Sequence, residues 1–129
     1  MLKKNQLLTV DVTDMNNFGY GISHENGMAI FTDGGVTGDR LEIKLIKIAK
    51  DYAVGRLEKI IFSSPYRVKS ACDVSGRCGG CAFRNIKREY ELELKRNFVL
   101  SAFRKNRLDA KINGVLTDGK ICGYRNKVQ

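Results

Sequence analysis

Residues 41–48 (LEIKLIKI) alternate apolar and charged side chains through eight positions, the two-residue period of a strand with one buried face. Residues 7–12 (LLTVDV) alternate in the same way. Residues 19–24 (GYGISH) and 28–32 (MAIFT) flank Glu25-Asn26-Gly27, whose Asn-Gly pair is a strong hairpin-turn signal. Asp33-Gly34-Gly35 and Thr37-Gly38-Asp39 mark two further turns. Residues 52–62 (YAVGRLEKIIF) read as a fifth strand, with Gly55 permitting a bend or bulge. Five short strands cornered by glycine predict a small closed barrel of the oligonucleotide-binding kind, since a sandwich would need more strands. The glycines at 19, 21, 34, 35 and 38 fit turn chemistry, and no Gly-rich loop opens a helix to cradle phosphate.

The period changes beyond Ser63-Ser64-Pro65. Residues 85–107 predict one amphipathic helix: Ile86, Tyr90, Leu94, Phe98 and Ala102 recur every fourth position, and Val99 and Phe103 widen the stripe. Glu91 and Lys95 form a favourable i,i+4 pair. Arg84, Lys87, Arg88, Arg96, Arg104, Lys105 and Arg107 make the opposite face basic. Asn113-Gly114 and Asp118-Gly119 are turns, and residues 122–129 begin another strand. The expected class is α+β, with a five-stranded barrel at 1–62, a Cys-rich loop and helix at 63–113, and the start of a further domain at 114–129.

Charge sharpens this division. Residues 1–63 carry eight Lys/Arg against eight Asp/Glu, whereas residues 64–129 carry fifteen against six and supply the whole net charge of +9. A basic half joined to a neutral half suits a polyanionic partner, because Lys and Arg release counterions from phosphates on binding. A merely solvated basic surface is the plain alternative. No apolar run is long enough to cross a membrane, and the basic opening MLKKNQLLTV lacks a signal peptide's core. A cytoplasmic location is therefore expected, where thiols serve metals more often than disulfides.

Three of the four cysteines, Cys72, Cys78 and Cys81, lie within ten residues (CDVSGRCGGC), and Cys122 follows after forty more. Gly79 and Gly80 let the loop curl with its amides facing sulfur, and Lys69, Arg77, Arg84 and Arg125 offset gathered negative charge. Four thiolates suit tetrahedral zinc or an iron–sulfur cluster. Zinc sites usually pair two short knuckles, whereas three ligands from one loop closed by a distant fourth is a common iron–sulfur arrangement. The spacing leaves both open.

CDVSGRCGGC, preceded by Ser64-Pro65-Tyr66-Arg67 and followed by Cys122-Gly-Tyr-Arg-Asn-Lys, resembles the RNA uracil-5-methyltransferases that carry an iron–sulfur cluster. Gly19-Tyr-Gly-Ile, Ile30-Phe31 and Gly35-Val-Thr-Gly-Asp39-Arg-Leu within residues 1–62 look like that family's amino-terminal TRAM barrel, and Leu92 and Lys95 fall where the family tends to have them. The start of the helix, AFRNIKRE, and Ala71 before Cys72 depart from the family's pattern.

The resemblance implies a [4Fe-4S] cluster on Cys72, Cys78, Cys81 and Cys122. It also implies S-adenosylmethionine as methyl donor for a longer parent, whose missing carboxy-terminal domain would carry the catalytic cysteine. All four cysteines present here are allotted to the cluster, so the 129 residues alone are expected to be inactive.

The expected partner is RNA, ribosomal (23S) ahead of transfer RNA, with no membrane involved. Phosphates would be gripped by Arg67, Lys69, Arg77, Arg84, Lys87, Arg88, Arg125 and Lys127. Phe18, Tyr20 and Phe31 are candidate base-stacking residues, each equally suited to the barrel core. His24, beside the Asn-Gly turn, is assigned no role. A stand-alone RNA-binding module held by zinc is the alternative. A small electron carrier fits less well, having too much barrel per cluster.

Overall fold

A computed structural model describes residues 2–74, 78, 81–120 and 123–125. Six strands form one sheet: β1 (Leu7–Asp11), β2 (Asp14–Met15), β3 (Tyr20–Glu25), β4 (Met28–Asp33), β5 (Arg40–Ile48) and β6 (Tyr52–Phe62). A single helix, α1 (Arg88–Lys105), follows among the described residues. The chain divides into two compact units, Met1–Lys87 and Arg88–Gln129.

The strands lie in the order β1-β5-β6-β4-β3-β2. Neighbours are antiparallel except β4 and β6, which run parallel with Phe31 beside Val54. The two edge strands are separated by only Val12 and Thr13, so one bent segment supplies both edges of a curled sheet. Those two residues are bonded to both sides: the Val12 amide donates to the Asp39 carbonyl and the Thr13 amide to the Ile22 carbonyl, both at 2.9 Å. Counting the bent segment as one strand restores the five read from the sequence. The arrangement is compatible with an oligonucleotide-binding barrel. The sixth strand is a break in the first, where the chain changes pairing partner.

Alternation places the core as the sequence requires. Leu41, Ile43 and Leu45 of β5 point inward with Val10, Val12, Ile30 and Ala53, all buried. Asn26 and Gly27 turn β3 into β4 with φ of 53° and 78°, the two left-handed residues of a type I′ hairpin turn. At Gly21 a Cβ would meet the Gly35 backbone at 2.9 Å, so no larger residue fits where the turn after β4 crosses β3.

Ser63 to Lys87 belongs to the barrel's unit. The Val68 amide donates to the Asn85 carbonyl and the Lys87 amide to the Tyr66 carbonyl, both at 2.9 Å, around an antiparallel bridge between Arg67 and Ile86. This two-armed neck closes the base of the cysteine-bearing loop. It also corrects the expected start of the helix: residues 85–87 commit their backbone to the neck, and α1 begins at Arg88.

Tyr90 and Leu94 of the expected apolar stripe are buried, whereas Val99 and Ala102 are exposed. The Lys95 ammonium lies 3.1 Å from the Glu91 carboxylate, as the i,i+4 spacing predicts. The helix ends in a Schellman motif: the Leu108 amide reaches the Phe103 carbonyl at 2.8 Å and the Arg107 amide that of Arg104 at 3.1 Å. Arg107 takes the left-handed φ of 58° that this cap demands.

Candidate nucleic-acid interface and cysteine loop

The segment Ser64–Lys87 of the barrel's unit is anchored by one carboxylate. Asp39, whose side chain is fully buried, accepts from the Val36 amide at 2.9 Å and the Ser64 amide at 2.8 Å. It also accepts from Arg67, whose Nε lies 3.1 Å from Oδ2 and whose Nη2 contacts the same oxygen. Arg67 further donates to the Gly34 carbonyl, to which the Asn85 amide group also reaches at 3.4 Å. A buried ion pair with its remaining lone pairs satisfied is the form in which two charges survive away from water. Arg67, expected among the phosphate-binding cations, therefore has its guanidinium occupied by the protein. Its role here is to lock the neck to the turn between β4 and β5.

The three expected stacking aromatics all lie outside the core. Phe18 is 70% exposed at the tip of the loop between β2 and β3, and Tyr20 is exposed at the start of β3. Phe31 points out of β4 and packs on Tyr52, with ring centroids 5.8 Å apart. Lys47 completes that cluster: its ammonium lies 3.2 Å from the Tyr52 hydroxyl and 5.5 Å from the ring centre. Tyr52 and Lys47 were not singled out in the sequence, where they read only as strand residues. Tyr52 shares the outward parity of Val54 and Arg56, and that was the available signal.

The loop carrying Phe18 is tied by hydrogen bonds to Asn16. The Asn16 side-chain oxygen accepts from the amides of Phe18 and Tyr20, both at 3.0 Å, and the Asn16 amide donates to the Tyr20 carbonyl at 3.0 Å. Gly19, at φ 83°, brings this loop against the cysteine-bearing loop: a Cβ there would fall 2.1 Å from the Ala82 carbonyl oxygen. Only glycine satisfies both conditions.

Cys72 is half-buried, and Cys78 and Cys81 are exposed. The Cys72 amide donates to the Ser70 hydroxyl at 3.2 Å and the Cys78 amide to the Val74 carbonyl at 2.8 Å. Cys122, Arg77 and Lys127 lie outside the described residues. Among the described residues no three Cys, His, Asp or Glu side chains form a metal-binding group. The donor set itself, thiols grouped on one loop with Cys72 and Cys81 free of disulfides, fits zinc or an iron–sulfur cluster chemically.

The other basic candidates differ in how far they are engaged. Lys69 and Lys87 are exposed and Arg84 half-buried, and none has an ion-pair partner among the described residues. Arg88 is held by the Glu91 carboxylate and by the Thr117 hydroxyl, the latter at 3.0 Å. Arg125 is exposed.

No protein-family model matches the chain. A protein of Clostridium tetani named an uncharacterized RNA methyltransferase is 37% identical over 129 residues, covering 99% of this chain and 28% of its own length. One of the same kind from Caldanaerobacter subterraneus subsp. tengcongensis is 33% identical over 129 residues, covering 99% and 29%. A third, from a Nostoc species, is 31% identical over 126 residues, covering 96% and 27%. The chain thus spans less than a third of the length of these relatives. A solution structure of a conserved protein of Methanococcus maripaludis matches 45% of this chain at 19% identity and a TM-score of 0.43, too distant to bear on fold or function.

Proposed function

The chain is homologous over its whole length to proteins named RNA methyltransferases, and we propose that it is the RNA-engaging, cluster-bearing portion of an RNA uridine 5-methyltransferase. That end-to-end homology is the observation that carries the reading. It is supported by an arrangement compatible with an oligonucleotide-binding barrel, by aromatics on its outside and by cations at the neck of the cysteine loop that have no ion-pair partner among the described residues. The expected substrate of the parent enzyme is ribosomal RNA, 23S in particular, ahead of transfer RNA. Its methyl donor would be S-adenosylmethionine.

Cys72, Cys78, Cys81 and Cys122 would hold a [4Fe-4S] cluster, with zinc as the alternative occupant. The centre would act as a staple, tying the loop above the neck to a position forty residues further on. With every cysteine of the 129 residues so engaged, none is left to attack a uracil ring, and this polypeptide should bind RNA without methylating it.

Metal analysis tests the cluster. Protein purified without oxygen should be brown, with iron and acid-labile sulfide at about four each per chain, and Cys122→Ser should lose most of both. A colourless protein with stoichiometric zinc would replace the cluster by the alternative. A protein with neither metal, folded as before, would remove the centre altogether.

A further inference from the structure

The Phe18 loop and the neck of the cysteine loop meet at one place. Gly19 abuts the Ala82 carbonyl, so Phe18 and Tyr20 flank the point where the returning arm of the cysteine loop crosses the barrel. Arg84 follows Ala82 by two residues, a reach of no more than about 7 Å of chain. Lys69 stands on the other arm: Val68 and Asn85 are paired, so Lys69 and Arg84 are the next residues outward on either side. Each arm thus carries one cation just beyond the last hydrogen bond of the neck, and neither has an ion-pair partner among the described residues. Like charges on neighbouring stretches of chain repel, and an anion bound between them offsets that repulsion.

Phe18 presents a matching problem of the opposite polarity. A phenyl ring 70% exposed on a loop fixed by three Asn16 hydrogen bonds forgoes burial without gaining freedom. Phe31, by contrast, already has Tyr52 as its ring partner. A ligand that is flat and apolar at one end and anionic at the other satisfies both features. Loops between the first and second strands of oligonucleotide-binding barrels are among those that contact nucleic acid.

We propose that Phe18, Lys69 and Arg84 form one position for an unpaired nucleotide of single-stranded RNA, the base stacking on Phe18 and an adjacent phosphate held by the two cations. This rests on the reading of the chain as RNA-binding and adds where a nucleotide sits and in what state. An acidic protein would engage the cations but leave the ring unused.

The test is fluorescence anisotropy with the 129-residue protein and a labelled oligouridylate of about ten nucleotides, within the range one such barrel occupies. Phe18→Ala should weaken binding by about 5- to 150-fold, the loss expected of one base–aromatic stack. A Lys69→Gln/Arg84→Gln double variant should flatten the slope of log affinity against log salt by about 1.4, as two lost phosphate contacts require on a single strand. Phe18 and Lys69 are exposed and Arg84 is half-buried, and urea melts of each variant should match the parent. If the parent binds and both variants keep its affinity and slope, the nucleotide position is wrong while RNA binding stands. If the parent binds no oligouridylate, both fall. If the double variant loses metal but binds RNA normally, the two cations serve the cysteine centre and the proposal is overturned.

Discussion

Asp39 shows how one residue can decide the placement of a functional segment. Its carboxylate gathers the amides of Val36 and Ser64 and the guanidinium of Arg67, three contributors from two stretches of chain. Arg67→Ala would leave a buried negative charge with only two amides to satisfy it, and should cost about 3–5 kcal/mol in a urea melt. Adding Asp39→Asn to that variant should restore part of the loss, because the stranded charge is then gone. An Arg67→Ala protein as stable as the parent would show that the pair contributes nothing net. From the sequence, Arg67 counted simply as one more cation near the cysteines. Its partner lies 28 residues upstream, and only the folded chain brings the two together.

The helix and the neck make the corresponding point for elements. Four-residue periodicity running through Ile86 read as helix, yet Ile86 is part of the neck, bridged to Arg67. A short apolar spacing cannot distinguish a helix start from an extended arm that also buries every other residue. The helix's far end was legible to within two residues, but its cap was not: the position that favours glycine holds Arg107. Arg107→Gly should remove left-handed strain and stabilise the helix by about 0.5–1 kcal/mol, read as increased helical circular dichroism at intermediate denaturant. An unchanged or lowered transition would mean that the arginine side chain compensates its own backbone.

For the whole molecule, the division between a neutral half and a basic half sets how it meets a polyanion. Residues 1–63 balance eight positive against eight negative side chains, so the barrel has no net pull on phosphate and offers chiefly ring surfaces. Converting Lys44 and Lys59 on the barrel strands to Gln should leave the salt slope of RNA binding unchanged, while the Lys69/Arg84 double variant flattens it. Equal effects from both pairs would indicate diffuse attraction over the whole surface. The same division explains how much of the candidate interface was legible. Charge location and the cysteine cluster are local facts of composition, visible in one dimension. The approach of the Phe18 loop to Ala82, the Phe31–Tyr52–Lys47 cluster and the engagement of Arg67 all depend on residues distant in sequence.

By itself the sequence determined the strands, their inward faces, the Asn26-Gly27 turn and the grouping of thiols and cations, because side-chain alternation and turn chemistry act over a few residues. The tertiary structure alone decided that the first strand breaks at Val12–Thr13, where the chain changes pairing partner and bends with the curled sheet. It likewise decided which arginine is occupied and which cations, among the described residues, stand without ion-pair partners near an exposed ring. Those outcomes come from hydrogen bonds and packing between segments whose meeting no local pattern encodes, since the entropy of closing long loops is repaid only when the whole barrel forms.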